Sequence, residues 1–266
     1  MELLEILGYI GALAVGLSLG LIGGGGSILT VPILVYLFGT EASEHAPAYS
    51  LFIVGSTALI GGVQKYREGL VDLRTFFVFG IPAIISVYFT RHNLVPAIPE
   101  TIDLGDFELS KRLLIMGLFA LLMVVASVSM IKGRKVDVNQ KEEELKYNYL
   151  LILLEGIVVG VLTGLVGAGG GFLIIPALVK LSKLSMKKAV GTSLLIIAAK
   201  SLFGFIGDAQ RLELDWALLL IISALAIAGI FIGNRMSRSI PGYKLKKSFG
   251  WFVLVMGVFI LFKEIS

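Results

Sequence analysis

Two glycine-rich stretches and one lysine are the residues of this chain best suited to chemistry. The stretches are Gly23 to Gly26 and Gly167 to Gly171, and the lysine is Lys200, set in the apolar run Leu194 to Phe205. Glycine lets a helix break and lets a ligand approach the backbone. A helix that restarts after such a break aims N–H groups and a partial positive charge at the gap. Restarts near Ser27 and Gly171 would therefore suit an anion, with Gly24, Gly25, Gly26, Ser27, Gly169, Gly170 and Gly171 as candidate contacts. Close helix packing through small residues is the competing reading, and it is favoured for Gly16 to Gly20 and Gly160 to Gly164.

A charge inside a bilayer is costly and marks function by default, so Lys200 is expected to line a substrate path. A structural ion pair with Glu155, about two turns into its own segment, is the alternative; Glu155 is also the candidate coupling residue. Tyr49, Ser50, Thr57, Thr192 and Ser193 could donate hydroxyls to an oxyanion, or bond back to their own helices. His45 and His92 read as surface residues, and Asp72 and Asp215 as N-caps or interface residues. No acidic or histidine spacing makes a metal set, and no cofactor motif is recognisable. The absence of cysteine excludes thiolate nucleophiles and disulfides. There is no Walker A motif, no Gly-x-Gly-x-x-Gly and no Ser/His/Asp arrangement, so nothing points to ATP-driven transport, to an enzyme or to a nucleic-acid partner.

The elements that must position these residues are apolar helices. Of 266 residues 56% are hydrophobic and only 16% charged, against about a quarter charged in soluble domains. Ten apolar segments are expected, at 3–22, 28–39, 45–63, 72–90, 111–131, 149–166, 172–184, 188–206, 214–233 and 248–263. The second and seventh are too short to span a bilayer upright, which takes roughly 20 residues. Each follows a glycine cluster and contains a proline. The first segment lacks the basic start of a signal peptide and reads as a retained helix.

These segments repeat. Gly20-Leu21-Ile22-Gly23-Gly24-Gly25-Gly26-Ser27-Ile28-Leu29-Thr30-Val31-Pro32 aligns without a gap to Gly164-Leu165-Val166-Gly167-Ala168-Gly169-Gly170-Gly171-Phe172-Leu173-Ile174-Ile175-Pro176. After a one-residue gap Ser50-Leu51 meets Ser193-Leu194, Thr57 meets Lys200, and Val71-Asp72 meets Leu214-Asp215. The expected organisation is a first transmembrane repeat at 1–131, a cytoplasmic linker at 132–148 and a second repeat at 149–266. Five segments per repeat is an odd number, so the two repeats should insert in opposite orientations. The loops at 64–74, 132–148, 180–188 and 234–247 hold 17 Lys/Arg, while the remaining loops and termini hold 5. By the positive-inside rule the first set is cytoplasmic and both termini are extracytoplasmic. The fold class is thus an all-α polytopic membrane protein, two five-segment inverted repeats with glycine-broken helices that are either re-entrant or fully spanning.

At the two glycine strings, at Val190-Gly191-Thr192-Ser193-Leu194 and at Gly229-xxx-Gly233 with Lys246-Lys247 beyond it, the chain resembles the sulfite exporter TauE/SafE family of membrane transporters. The resemblance covers nearly the whole chain. It implies secondary transport across the plasma membrane, usually outward, of sulfite, an organosulfonate or a related small sulfur oxyanion. The first half departs from the pattern, with Pro47-Ala48-Tyr49-Ser50 in place of the Val-Gly-Thr-Ser of the second. The leading expectation is an alternating-access exporter binding its anion between the glycine breaks. A small-anion channel or uniporter is the alternative, and a membrane enzyme or non-transporting partner the more distant one. The expected partners are a small anionic substrate and the lipid bilayer. Gly229-xxx-Gly233 packs either within one protomer or across a homo-oligomer.

Overall fold

The computed structural model describes residues 3–24, 26–40, 44–103, 108–132, 149–167, 171, 174, 175, 178, 184–237 and 241–265. Before the hydrophilic stretch come α1 (Leu3–Ile22), α2 (Ser27–Leu37), α3 (His45–Arg67), α4 (Leu73–Phe89) and α5 (Lys111–Lys132). After it come α6 (Tyr149–Val166), α7 (Met186–Ala209), α8 (Trp216–Ser237) and α9 (Gly242–Ile265). Gly171, Ile174, Ile175 and Leu178 are also helical, and all four are buried. Beyond Lys132 the expected linker lies outside the described residues. The architecture is that of an all-α polytopic membrane protein. One small departure is an antiparallel hairpin of β1 (Thr101–Asp103) and β2 (Glu108–Ser110), in the stretch expected to be plain loop.

Five described helices are long and apolar enough to cross a bilayer: Leu4–Ile22, His45–Arg67, Leu73–Ala97, Met186–Ala209 and Trp216–Ser237. Their outward faces are what a bilayer requires. On α4 the residues Phe77, Ile81, Ile85 and Phe89 recur every fourth position and are all more than half exposed. On α9 Trp251, Val255, Val258 and Phe262 are exposed in the same way. A stripe of this size would be untenable against water and is at home against acyl chains.

α3 and α7 form the centre and are largely buried along their length. Gly55 lies against Leu202, and Gly62 against Leu195. The two helices therefore run antiparallel, at a register that sets Thr57 level with Lys200. Each outer pair joins the first helix of one half to the fourth of the other: α1 packs on α8, and α4 packs on α6. The approach is close enough to need glycine. A Cβ on Gly16 would run into the Ala226 carbonyl, and one on Gly160 would lie 2.7 Å from the Ala83 oxygen. Gly229 and Gly233 are spent on the same seam, against Leu13 and Leu17 of α1, so this small-residue motif packs within the protomer. α5 and α9 pair with each other, and their apolar cluster includes Ile28 and Val31 of α2 and Ile175.

Candidate functional site

The two glycine breaks end their helices in the same way. Gly23 (φ 81°) and Gly167 (φ 71°) are left-handed, a conformation glycine adopts without a Cβ penalty. Gly23 N–H donates to Leu19 C=O at 2.7 Å, and Gly167 N–H donates to Thr163 C=O at 2.8 Å. These bonds stop α1 and α6 through the C′ glycine. What lies against them is equivalent too: Val190 presses on Gly23, and Pro47 on Gly167.

Gly24 and Gly171 then meet directly. A Cβ on Gly24 would stand 2.6 Å from the Gly171 carbonyl carbon, so backbone touches backbone where the two breaks cross. Gly26 caps the restart of α2, and Leu29 N–H bonds back to its carbonyl at 3.1 Å. Ser27 is fully buried, its hydroxyl donating to Gly24 C=O at 2.9 Å. Gly25, Gly169 and Gly170 lie outside the described residues.

The hydroxyls on α3 and α7 divide into two groups. Tyr49 and Thr192 serve the scaffold. The Tyr49 hydroxyl accepts from Asp215 N–H at 2.8 Å, and the Thr192 hydroxyl accepts from Asp72 N–H at 2.8 Å. Asp72 and Asp215 are helix caps, their carboxylates accepting from Thr75 N–H and Leu218 N–H. Each central helix thereby fastens the start of the other half's fourth helix. Ser193 links α7 to the first break, donating to Gly23 C=O at 2.9 Å while also bonding Val190 C=O. Ser50 and Thr57, by contrast, are buried with no hydrogen-bond partner among the described residues, as are Thr30 and Ser201.

Lys200 is fully buried. Its ammonium donates to the Thr163 hydroxyl of α6 at 2.7 Å. Among the described residues no carboxylate lies within ion-pair distance, so the alternative pairing with Glu155 is not formed. Glu155 sits eight residues from Thr163 on the same helix, about 12 Å along its axis, and is partly exposed. The other buried cations are all paired with acids: Arg91 with Asp208 at 2.6 Å, Lys65 with Glu68 at 3.0 Å, and Lys111 with Glu44 and Glu100. An ammonium buried here without a counter-charge would be strongly destabilising, as in an ion pair that has lost its partner. A bound anion would relieve it.

Arg91 falls just beyond the expected segment 72–90, beside His92, which was expected at the surface. α4 runs on through a π-turn, Thr90–Leu94, which rotates Arg91 inward until it is fully buried. The guanidinium also reaches Gly164 C=O at 3.4 Å and Glu44 C=O at 3.3 Å. His92 is half-buried, stacked on Tyr88 with 5.6 Å between ring centres, and its Nδ1 is enclosed without a partner among the described residues. Burial pushes the Glu44 carboxyl up, but Lys111 and Arg211 outweigh that and hold it below the usual carboxylate range. Sequence reasoning missed Thr163, whose only signal was a hydroxyl in an apolar run. It also missed Asp208, which falls two residues beyond the expected end of its segment.

Known proteins resemble this chain over nearly its whole length. The family described as Sulfite exporter TauE/SafE matches residues 8–260. A probable membrane transporter protein of Xylella fastidiosa (strain 9a5c) is 27% identical over 253 residues, covering 94% of this chain and 92% of the relative. The probable membrane transporter protein YdhB of Bacillus subtilis (strain 168) is 27% identical over 255 residues, covering 93% and 96%. A probable membrane transporter protein of Methanocaldococcus jannaschii is 26% identical over 275 residues, covering 98% and 95%. No solved structure matches the chain.

Proposed function

Because the chain belongs to the sulfite exporter TauE/SafE family, we propose that it is a secondary transporter carrying a small sulfur oxyanion, such as sulfite or an organosulfonate, outward across the plasma membrane. The observation that carries this reading is Lys200: buried, bonded to a hydroxyl, and without the carboxylate that each other buried cation has. An oxyanion beside it supplies the missing charge and accepts from the ammonium. The unpartnered hydroxyls of Ser50, Thr57 and Ser201 are the further donors such a ligand would recruit.

Transport runs by alternating access between two halves, 1–131 and 149–266, in inverted orientation. Support comes from the antiparallel α3 and α7 and from the exchanged pairs α1–α8 and α4–α6. The reciprocal bonds Tyr49 to Asp215 and Thr192 to Asp72 point the same way. The packed contact of Gly24 with Gly171 is the closed barrier, which must part for the anion to pass. Both termini are extracytoplasmic. An anion leaving an inside-negative cell gains about 2.3 kcal/mol per charge per 100 mV, so export needs no coupled ion. Glu155 is the residue to examine if coupling is found.

The test is flux in proteoliposomes loaded with sulfite or a sulfonate. The parent should show saturable flux, and Lys200→Ala should lower it at least about tenfold, the ~1.4 kcal/mol of one lost charge-assisted hydrogen bond. No flux by the parent, or full flux by Lys200→Ala, sinks the assignment. Flux that does not saturate, with single-channel currents, would make the protein a channel instead.

A further inference from the structure

A second set of charges lies close to Lys200 and has no part in the binding scheme. Arg91 and Asp208 are both fully buried, and their ion pair measures 2.6 Å. Around them Arg211 bonds Asp208 at 3.2 Å and Glu44 at 3.3 Å, and Lys111 bonds Glu44 and Glu100. These residues come from the start of α3, the π-turn after α4, the loop before α5, the start of α5, and the end of α7. Arg91 adds α6 by reaching its Gly164 carbonyl at 3.4 Å. The network thus ties together α3, α4, α5, α6 and α7 at one end of the bundle.

Its link to Lys200 is covalent and short. Thr163, which accepts from Lys200, is the chain neighbour of Gly164, which Arg91 grips. Asp208 is eight residues beyond Lys200 on α7, two turns or about 12 Å. Among the described residues the opposite end of the bundle is built differently. There the repeat positions of Arg91 and Asp208 are Asn234 and Lys65, and the described contact across the halves is neutral, Asn234 Nδ2 to Gln64 Oε1 at 2.8 Å. Lys65 turns instead to Glu68 on its own helix.

We propose that Arg91 and Asp208 are positioning residues that form the gate on their side of the Lys200 site: their pair holds α4, α6 and α7 together, and breaking it admits water and substrate from that face alone. The proposal rests on the transport reading for its purpose. An anion that draws Lys200 off Thr163 loosens the same turn of α6 that Arg91 holds, which couples occupancy to opening.

The experiment reads access rather than flux, and so separates the gate from the substrate. The chain has no cysteine, so Ser201→Cys places a single near-isosteric thiol beside Lys200. In oriented vesicles it is challenged from each face with a membrane-impermeant charged methanethiosulfonate. With the gate intact, labelling from the Arg91 face should be slow. In Asp208→Asn it should rise at least tenfold from that face and stay unchanged from the other. The swap of Arg91→Asp with Asp208→Arg should return it toward the parent rate. Unchanged labelling in a folded Asp208→Asn, or an equal rise from both faces, overturns the gate. If Asp208→Asn does not fold, Arg91→Lys keeps the charge but removes the bonds to the Gly164 and Glu44 carbonyls and lengthens the pair with Asp208, and unchanged labelling there overturns it equally. Enhanced labelling, with no sulfur-oxyanion flux by the chain that keeps Ser201, would keep the gate and remove the substrate assignment; flux by that chain without enhanced labelling would do the opposite.

Discussion

At one end of the bundle α7 meets α4 through a fully buried ion pair, Arg91 with Asp208; at the other, α3 meets α8 through two amides, Gln64 with Asn234. Backbone devices are shared between these regions. Each has a left-handed glycine at its helix break, a hydroxyl on a cap aspartate's N–H, and an i,i+3 ion pair closing a central helix: Lys65 with Glu68, Asp208 with Arg211. Even here the charges are reversed, the lysine and glutamate of α3 standing where α7 has aspartate and arginine. Equivalent backbones therefore carry unequal charge among the described residues, and under the proposed gate the two ends would need different energies to open.

The largest effect should come from filling the place where the two breaks touch. Gly24→Ala and Gly171→Ala each put a Cβ into the other's backbone. Each is expected to cut flux by about 100-fold, reflecting the ~3 kcal/mol that overpacking a tight site costs. Gly39→Ala is the control. Gly39 is also left-handed, at φ 65°, but nothing lies within 4 Å of the added methyl. It should keep most flux and lose only stability. Equal losses at Gly39 and Gly24 would mean that backbone conformation, not the crossing, is what matters.

Next in size is the charge that distinguishes the halves. Lys200 and Thr57 are repeat positions at one level of the bundle, so Thr57→Lys in a Lys200→Thr background moves the charge across the pseudo-symmetry. The position equivalent to Thr163 is Leu19, which offers no hydroxyl. The swap should therefore not restore flux, remaining at least about tenfold below the parent. Restoration would show that the binding site is symmetric after all.

Much of this was legible in the sequence because it depends on chain-local signals. The glycine strings, the short segments after them and the Ser50/Ser193 register all repeat, and a repeat can be read without coordinates. Lys200 was legible as a buried charge, because an ionisable residue in a long apolar run stands out whether it binds substrate or pairs with an acid. Arg91 and Asp208 were not. Both sit near the ends of apolar segments, where a charge ordinarily reaches water. Only the π-turn at Thr90–Leu94 and the packing of α4 on α7 turn them inward toward each other. Tyr49 and Thr192 were legible as buried hydroxyls, but not as partners of Asp215 and Asp72, which are more than a hundred residues away in the chain.

Acid should weaken the ionic end before the amide end. The Glu44 carboxyl is held below its usual range by Lys111 and Arg211, against the effect of burial. A carboxylate lowered on folding contributes stability that is complete above its unfolded pKa and is lost as pH falls through the lowered value. Thermal stability in detergent should therefore decline between about pH 5 and pH 3, around the ordinary glutamate range. Glu44→Gln should start lower and flatten that decline. Gln64→Ala, at the amide end, should lower stability without changing the slope.

The smallest effect tests whether the reciprocal caps are equivalent. Tyr49→Phe and Thr192→Val each remove one hydroxyl and leave an aspartate N–H at a helix start without its acceptor. A neutral hydrogen bond of this kind contributes about 1 kcal/mol. Each variant should melt a few degrees below the parent and transport nearly normally, since neither hydroxyl is left over to touch substrate. The caps lie in separate places, one between α3 and α8 and the other between α7 and α4, so the double variant should lose the sum of the two. A loss well beyond that sum would mean that the two fastenings act as one, and that the halves move only together. A large fall in flux from Tyr49→Phe alone would assign its hydroxyl to the anion, beside those of Ser50 and Thr57 in the same half, rather than to the scaffold.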